Sequence, residues 1–352
     1  MSKHNVRISD VAKKAGVSPA TVSVVVNNRI GENIRVSPET VERVKQAVVE
    51  LGYMPNPIAQ RLAEGSNKII GLFTYEPIFP IKQNNFYYPF LVGIEEEVER
   101  QGYDLLMFTS IGSSSKPRSI FQGSVSRLNI TEGSILLGLT EDRSDLVELT
   151  RQGYPFVFVG RREVPGGKIS YISADYKQAT AQIVKHIALF GHQNIACIHT
   201  ELHQEAQIDR YDGYLLGLEQ ADRVYNQSID WTCDPAGIEI EDLSKLFDLR
   251  VTAFIVENSN LGEQLLSAAS KLNKTYVKDF SLAVLGDSIE PRQSDIEWTM
   301  FRIPRREMGI HAIQMLIQLL NDDTPSLAPI QKVLPCKFEP GKTVGPVPGE
   351  GQ

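Results

Sequence analysis

From Ile69 onward the sequence alternates short apolar, β-branched runs with longer amphipathic stretches, in two successive series. In the first, the pattern predicts strands over 69–75, 103–110, 134–138 and 155–160, with helices over 90–102 and 144–153. The second begins near Ile169, with helices over 176–191, 211–221 and 261–272 and strands over 194–200, 252–257 and 281–285. Strands separated by helical crossovers pair in parallel, so each series implies a doubly wound α/β sheet. Two series imply two lobes, with a cleft where the C-terminal ends of the strands face each other.

Residues 1–52 lack this alternation and read as three short helices. The first is expected to start at a Ser9 cap and to stop at Gly16, the residue that tolerates a left-handed turn. Ser18-Pro19 and Ser37-Pro38 are cap-plus-proline signatures that open the second and third. In the third, Val41, Val44, Val48 and Leu51 recur at helical spacing before Gly52. A connector over 53–66 follows, in which Asn56 and Pro57 can open a helix of about two turns, marginal without a partner.

The spacing over Ile8–Ser23 is that of a helix-turn-helix. On a wheel of the second helix, Val22, Val25 and Val26 turn inward, while Ala20, Ser23, Val24 and Asn27 share the other side. That outer face is small and polar enough to sit deep in a DNA major groove. Thr21, Asn27 and the Ser18-Pro19 helix start suit phosphate contacts, which position without specifying sequence. Charge agrees: residues 1–65 carry nine Lys and Arg against six acids, so this head is +3 within a chain of −7.

The stretches DVAKKAGVSPATVS, VSPETVERVKQAVVELGY and PNPIAQRLA, in this order over the first 63 residues, closely resemble the lactose-repressor/galactose-repressor (LacI/GalR) family of bacterial regulators. The resemblance implies operator DNA as a partner, with Tyr53, Asn56 and Ala59 joining the second helix as DNA-binding residues. It also implies that Leu62 acts as a minor-groove wedge, paired with the same leucine of a second copy. Two departures stand out. Val24 lies where the family often carries a polar or basic base-reading residue, and a valine there can instead meet a thymine methyl. The 28–36 segment is longer than usual, and its Arg29 and Arg35 read equally as backbone contacts or as solvated charges.

Residues 67–340 resemble the family's periplasmic-binding-protein-like core, through FLVGIEEE, LFGHQNIA, RYDGY, FRIP and EMG. The resemblance implies an effector-binding and dimerisation domain whose ligand is a sugar or related small polar molecule, bound by a homodimer. Carried over by position, Arg210 matches the arginine that holds ligand hydroxyls or carboxylate, with capping or pairing to Asp212 as the alternative. Asn258 matches the first residue of an Asn-Asp pair whose second is Ser259 here, and Asp287 follows Gly286 without the family's intervening aromatic. Asp175 follows a strand and is a candidate for the same cleft. Phe86, Tyr87 and Tyr88, expected in the loop after the first strand, and Trp231 are candidate walls, with packing as the alternative.

No phosphate loop, nucleophile elbow or dinucleotide fingerprint occurs, so no enzymatic activity, cofactor or metal is expected. His199 and His203 are spaced four apart but lack a third ligand. Cys197, Cys233 and Cys336 form no CxxC motif, and the N-terminus carries no apolar leader. A cytoplasmic location is expected, without membrane contact. Residues 341–352, rich in Gly and Pro, are expected to be a disordered tail. The expected architecture is thus a small all-α headpiece plus a core of two doubly wound α/β lobes. A ligand-responsive, sequence-specific DNA-binding regulator fits it best. The alternative is a solute-binding or sugar-processing protein with an accessory helical domain.

Overall fold

The computed structural model describes residues 6–27, 35–54, 66–76, 84–109, 118–123, 125–138, 143–234, 237–287, 295–322 and 328–349. It separates into two compact units at residues 68 and 69. The smaller holds α1 (Ile8–Ala15), α2 (Pro19–Val26) and α3 (Pro38–Leu51). Ser9 lies inside α1. The cap is Arg7, whose backbone N–H donates to the Asp10 carboxylate at 2.8 Å, so the cap stands two residues earlier than expected. Ser18 and Ser37 cap as expected, their hydroxyls accepting from Thr21 N at 3.1 Å and Thr40 N at 3.3 Å. Gly16 and Gly52 close their helices at φ 66° and 61°, where a side chain would be strained. Val11, Val22, Val25 and Val44 meet in a buried centre that fixes how α2 stands on α1 and α3.

In the larger unit the chain runs through β1 (Ile69–Thr74), α4 (Asn84–Arg100), β2 (Asp104–Phe108) and the hairpin β3 (Phe121–Gln122) and β4 (Val125–Ser126). Then come β5 (Gly133–Leu137), α5 (Ser144–Gln152), β6 (Phe156–Val159) and β7 (Tyr171–Ala174). The second half holds α6 (Tyr176–Leu189), β8 (Ile195–His199), α7 (Glu205–Gln220), β9 (Asp230–Thr232), α8 (Ile240–Asp248) and β10 (Ala253–Val256). It ends with α9 (Ser259–Lys271), β11 (Ser281–Val284), β12 (Thr299–Arg302), α10 (Arg305–Asn321), β13 (Gln331–Leu334) and β14 (Lys337–Glu339).

One sheet has the order β13-β7-β6-β5-β1-β2, all parallel. The other has the order β14-β12-β11-β10-β8-β9, parallel except for β14. The chain passes from one lobe to the other three times: between β7 and α6, between β12 and α10, and between β13 and β14. α10 returns to the first lobe and crosses α4 at close range. A Cβ on Gly93 would lie 2.0 Å from the Arg306 carbonyl oxygen, and one on Gly309 2.4 Å from that of Phe90.

The tail differs from expectation. Residues 341–349 pack on the second lobe, where Thr343 is fully buried and its carbonyl accepts from Leu282 N at 2.8 Å. His192, also fully buried, meets Thr252 Oγ1, Ser281 Oγ and the Gly345 carbonyl within 3.0 Å. Glycine at 341 serves close approach rather than freedom, since a Cβ there would lie 2.2 Å from the Glu297 carbonyl oxygen.

Candidate DNA interface and ligand cleft

Ser18, Pro19 and Ala20 are exposed at the start of α2, and Thr21, Ser23, Val24 and Asn27 are half-exposed along it. The expected face is thus assembled on one helix. Val24 takes no part in the headpiece core, whereas Val22 and Val25 are buried and Val26 packs against it. Asn27 Nδ2 donates to Ser23 Oγ at 3.1 Å, and the Ser18 and Thr21 hydroxyls lie 2.9 Å apart. Short side chains held to their own helix leave a low surface that a groove can accept. Tyr53 packs against the headpiece core. Asn56, Ala59 and Leu62 lie outside the described residues.

In the larger unit Arg210 stands on α7, which begins at Glu205, six residues before the expected start. Its Nε donates to the Leu285 carbonyl at 3.0 Å and Nη1 to the Ala206 carbonyl at 3.0 Å. The guanidinium carbon lies 4.0 Å from the centre of the Tyr176 ring, a cation–π distance. Asp212 pairs with Lys177 instead, at 3.7 Å. Two backbone carbonyls and a ring face orient the Arg210 fork without neutralising its charge. Among the described residues no carboxylate pairs with it.

Arg210 lines a cavity with His199, Gln207, Tyr211 and Glu257. Glu257, one residue past β10, accepts from Thr200 Oγ1 at 2.9 Å and from Gln207 Nε2 at 2.9 Å. His199 also lines it, 3.3 Å from Asp230, with its other nitrogen 2.7 Å from the Thr200 carbonyl. Burial alone would lower the His199 pKa, but Asp230 and the Thr200 carbonyl raise it above the usual value. Asp230 in turn accepts from Tyr211 and, at 2.7 Å, from Tyr225. Burial opposes its charge, yet these donors and His199 hold its carboxyl below the usual range. Donors and acceptors therefore converge on one apolar-floored cavity of about 10 Å³, room for no more than one water as it stands, so a larger polar ligand enters only when the walls move apart.

Other candidates are placed elsewhere. Asn258 is exposed, and its oxygen caps α9 by accepting from Leu261 N at 3.0 Å, so the cavity takes Glu257 rather than its neighbour. Asp175 caps α6 through Gln178 N at 3.0 Å and lines a separate pocket with Arg161, Tyr176 and Asp209. Asp287 binds Arg305 at 2.6 Å and accepts from Ile303 N at 3.1 Å, holding together a crossing between lobes. Phe86 and Tyr87 lie in the first turns of α4, not in a loop. Phe86 sits under the Arg305 guanidinium at 5.4 Å, and Tyr87 is buried with its hydroxyl donating to Glu76 at 2.6 Å. Tyr88 is exposed. Trp231 packs with the core on the α8 and α9 side of β9, away from Asp230 and the cavity.

His199 and His203 take separate partners, Asp230 and Glu201. Among the described residues no group of three His, Cys, Asp or Glu is placed to hold a metal, and no helix is long and apolar enough to cross a membrane. Cys197 and Cys233 are buried thiols and Cys336 is half-buried.

Residues 7–56 match the family "Bacterial regulatory proteins, lacI family", and residues 184–344 match "Periplasmic binding protein-like domain". Catabolite control protein A of Priestia megaterium is 26% identical over 345 residues, covering 95% of this chain and 98% of that protein. The HTH-type transcriptional repressor PurR of Vibrio atlanticus is 26% identical over 325 residues, covering 90% and 92%. Among solved structures, the lac repressor dimer bound to operator and the anti-inducer ONPF has a TM-score of 0.68 at 21% identity, over 97% of this chain and 99% of that one. The complex of the transcriptional regulator CelR with cellobiose has a TM-score of 0.62 at 24% identity, over 96% and 99%. Relatives that share head and body along their full lengths are named as transcriptional regulators, which disfavours a solute-binding or sugar-processing protein. The chain belongs to the lacI family of bacterial regulatory proteins: it is a transcriptional regulator with a helix-turn-helix DNA-binding head on a periplasmic-binding-protein-like body.

Proposed function

We propose that this regulator is a homodimeric, ligand-responsive repressor that binds a pseudo-palindromic operator and takes a sugar or related polar effector in its cleft. The observation that carries this reading is the Arg210 cavity, where a guanidinium without a carboxylate partner among the described residues shares the lining with Glu257 and Gln207. Two recognition helices related by a twofold axis read two half-sites, which is why a dimer and a palindrome go together. α2 supplies the reading face through Ala20, Ser23 and Val24, with Thr21 and Asn27 toward phosphates. Leu62 of each copy wedges the central step, assisted by Asn56 and Ala59. Three crossings between lobes act as a hinge, so a ligand that favours one lobe angle shifts a two-state equilibrium. The protein acts in the cytoplasm and performs no catalysis.

The test is selection of bound DNA from a random pool by the full-length protein, with and without a panel of sugars. Enrichment of a symmetric site whose occupancy one sugar alters is expected. Enrichment of no sequence would remove the operator reading, and light scattering that finds only monomers with and without DNA would remove the dimer.

A further inference from the structure

The segments 143 and 161–163 belong to the first lobe and α7 to the second, yet Glu205, the first residue of α7, is held almost entirely by first-lobe groups. Its carboxylate is 2.7 Å from Arg143 Nη1, 3.4 Å from Arg162 Nη1 and accepts from Glu163 N at 2.9 Å. The side chains of Glu205 and Arg162 are both about 5% exposed. Arg162 also donates to the Gly138 and Arg161 carbonyls at 2.7 Å each, and its guanidinium stands 4.8 Å over Phe158. Its buried Nε has no hydrogen-bond partner among the described residues. Among the described residues, carboxylates nearby are otherwise engaged: Asp209 at 2.8 Å and Glu163 by Arg161, and Glu76 by the Tyr87 hydroxyl.

Two guanidiniums and a backbone N–H converging on one carboxylate are an oxyanion receptacle of the kind that binds free acids. Here the occupant is tethered, and it comes from the opposite lobe. When the lobes part, Glu205 leaves with α7 and Arg162 keeps a buried charge with one donor already unmatched. Burying such a charge without an anion is costly. An external oxyanion can settle that charge as well as Glu205 does.

We propose that Arg143, Arg162 and the Glu163 N–H form an oxyanion-binding subsite, occupied by Glu205 in this structure, and that the effector carries a carboxylate or phosphate that replaces Glu205. This rests on the reading of the interlobe cleft as the effector site. It narrows the effector class from sugars at large to acidic sugar derivatives, with the Arg210 cavity taking the hydroxylated part. Glu205 is then a built-in competitor, present at an effective concentration of ~mM or more because it is tethered. An acidic ligand binds only after displacing it, which lowers the apparent affinity by the fraction of subsite left free.

The test is calorimetry on the full-length protein with D-gluconate, D-glucose 6-phosphate, inorganic phosphate and D-glucose, on the parent, Glu205→Gln and Arg162→Gln. Glu205→Gln is expected to bind the anionic probes roughly tenfold more tightly than the parent, with glucose unchanged, since the tethered competitor is gone. Gluconate against glucose 6-phosphate separates a carboxylate ligand from a phosphate. Arg162→Gln is expected to lose the anionic probes, and the Arg162→Gln/Glu205→Gln double variant, which removes both buried charges and leaves only the more exposed Arg143, guards against misfolding. No anionic binding to Glu205→Gln, or equal gains for glucose and the anions, would overturn the proposal. Failure of the regulator reading would look different: an acid bound in the cleft that leaves operator affinity unmoved.

Discussion

The Arg210 guanidinium carbon lies over Tyr176, 4.0 Å from the ring centre, at the point where the chain first leaves one lobe for the other. Its contact with the second lobe's own strands is the bond to the Leu285 carbonyl, just past β11. The residue therefore touches a lobe crossing and the small cavity at once. On the proposed reading, a ligand that pulls on Arg210 pulls on the hinge.

Arg210→Ala is expected to raise the effector concentration needed for a DNA response by tenfold or more, because a charge-assisted contact contributes roughly 1.5–3 kcal/mol. Basal operator affinity should stay close to that of the parent. Titration of both proteins on the operator across effector concentrations checks this. An identical response curve would show that the guanidinium serves packing alone.

Leu62→Ala is expected to weaken specific operator binding by a few kcal/mol while leaving binding to random duplex in place, since the wedge supports only the kinked complex. Salt titrations on operator and non-operator DNA separate the two. Equal loss on both would make Leu62 a structural residue of the connector.

Acid should destabilise the larger unit through His192. Burial lowers its pKa below the usual 6.5, while the Gly345 carbonyl works the other way. The unfolded chain then takes up a proton that the folded one refuses, so stability falls as pH drops below about 6.5 and levels off below the folded pKa. His199 is raised and has the opposite slope, its stabilising effect being lost as pH climbs. Denaturant melts from pH 8 to pH 5.5 on parent and His192→Gln should show a smaller acid loss in the variant. Parallel curves would contradict the role given to His192.

Gly309→Ala is expected to cost about 1–3 kcal/mol or more, as overpacking does, because its Cβ would meet the Phe90 carbonyl oxygen at 2.4 Å with no flexible atom to yield. Urea unfolding gives the figure. A loss under half a kcal/mol would mean that α4 and α10 can separate freely.

The headpiece was legible because its signals are local. Ser18, Ser37, Gly16 and Gly52 act within one turn of chain, and each does what its position suggests. Only Ser9 misled, since Arg7 and Asp10 close the first turn of α1 without it. The two parallel sheets were legible from alternation. The cleft was less so. Asn258 sits at a helix start, where Asn is most useful as a cap, and that signal was available to move attention to Glu257. Asp287 with Arg305, and Glu205 with Arg143 and Arg162, are pairs joined across 18 to 62 positions, which no spacing rule reaches. The tail was misread because Gly and Pro serve close packing there as well as disorder.

Operator titration of the full-length protein by fluorescence anisotropy, with and without a ligand shown by calorimetry to occupy the cleft, bears most directly on ligand-gated DNA binding. The expected result is saturation at one dimer per symmetric site and a shift in affinity of about 5- to 150-fold on adding the ligand, the range of typical coupling energies. Superimposable curves with the cleft empty and filled would contradict it.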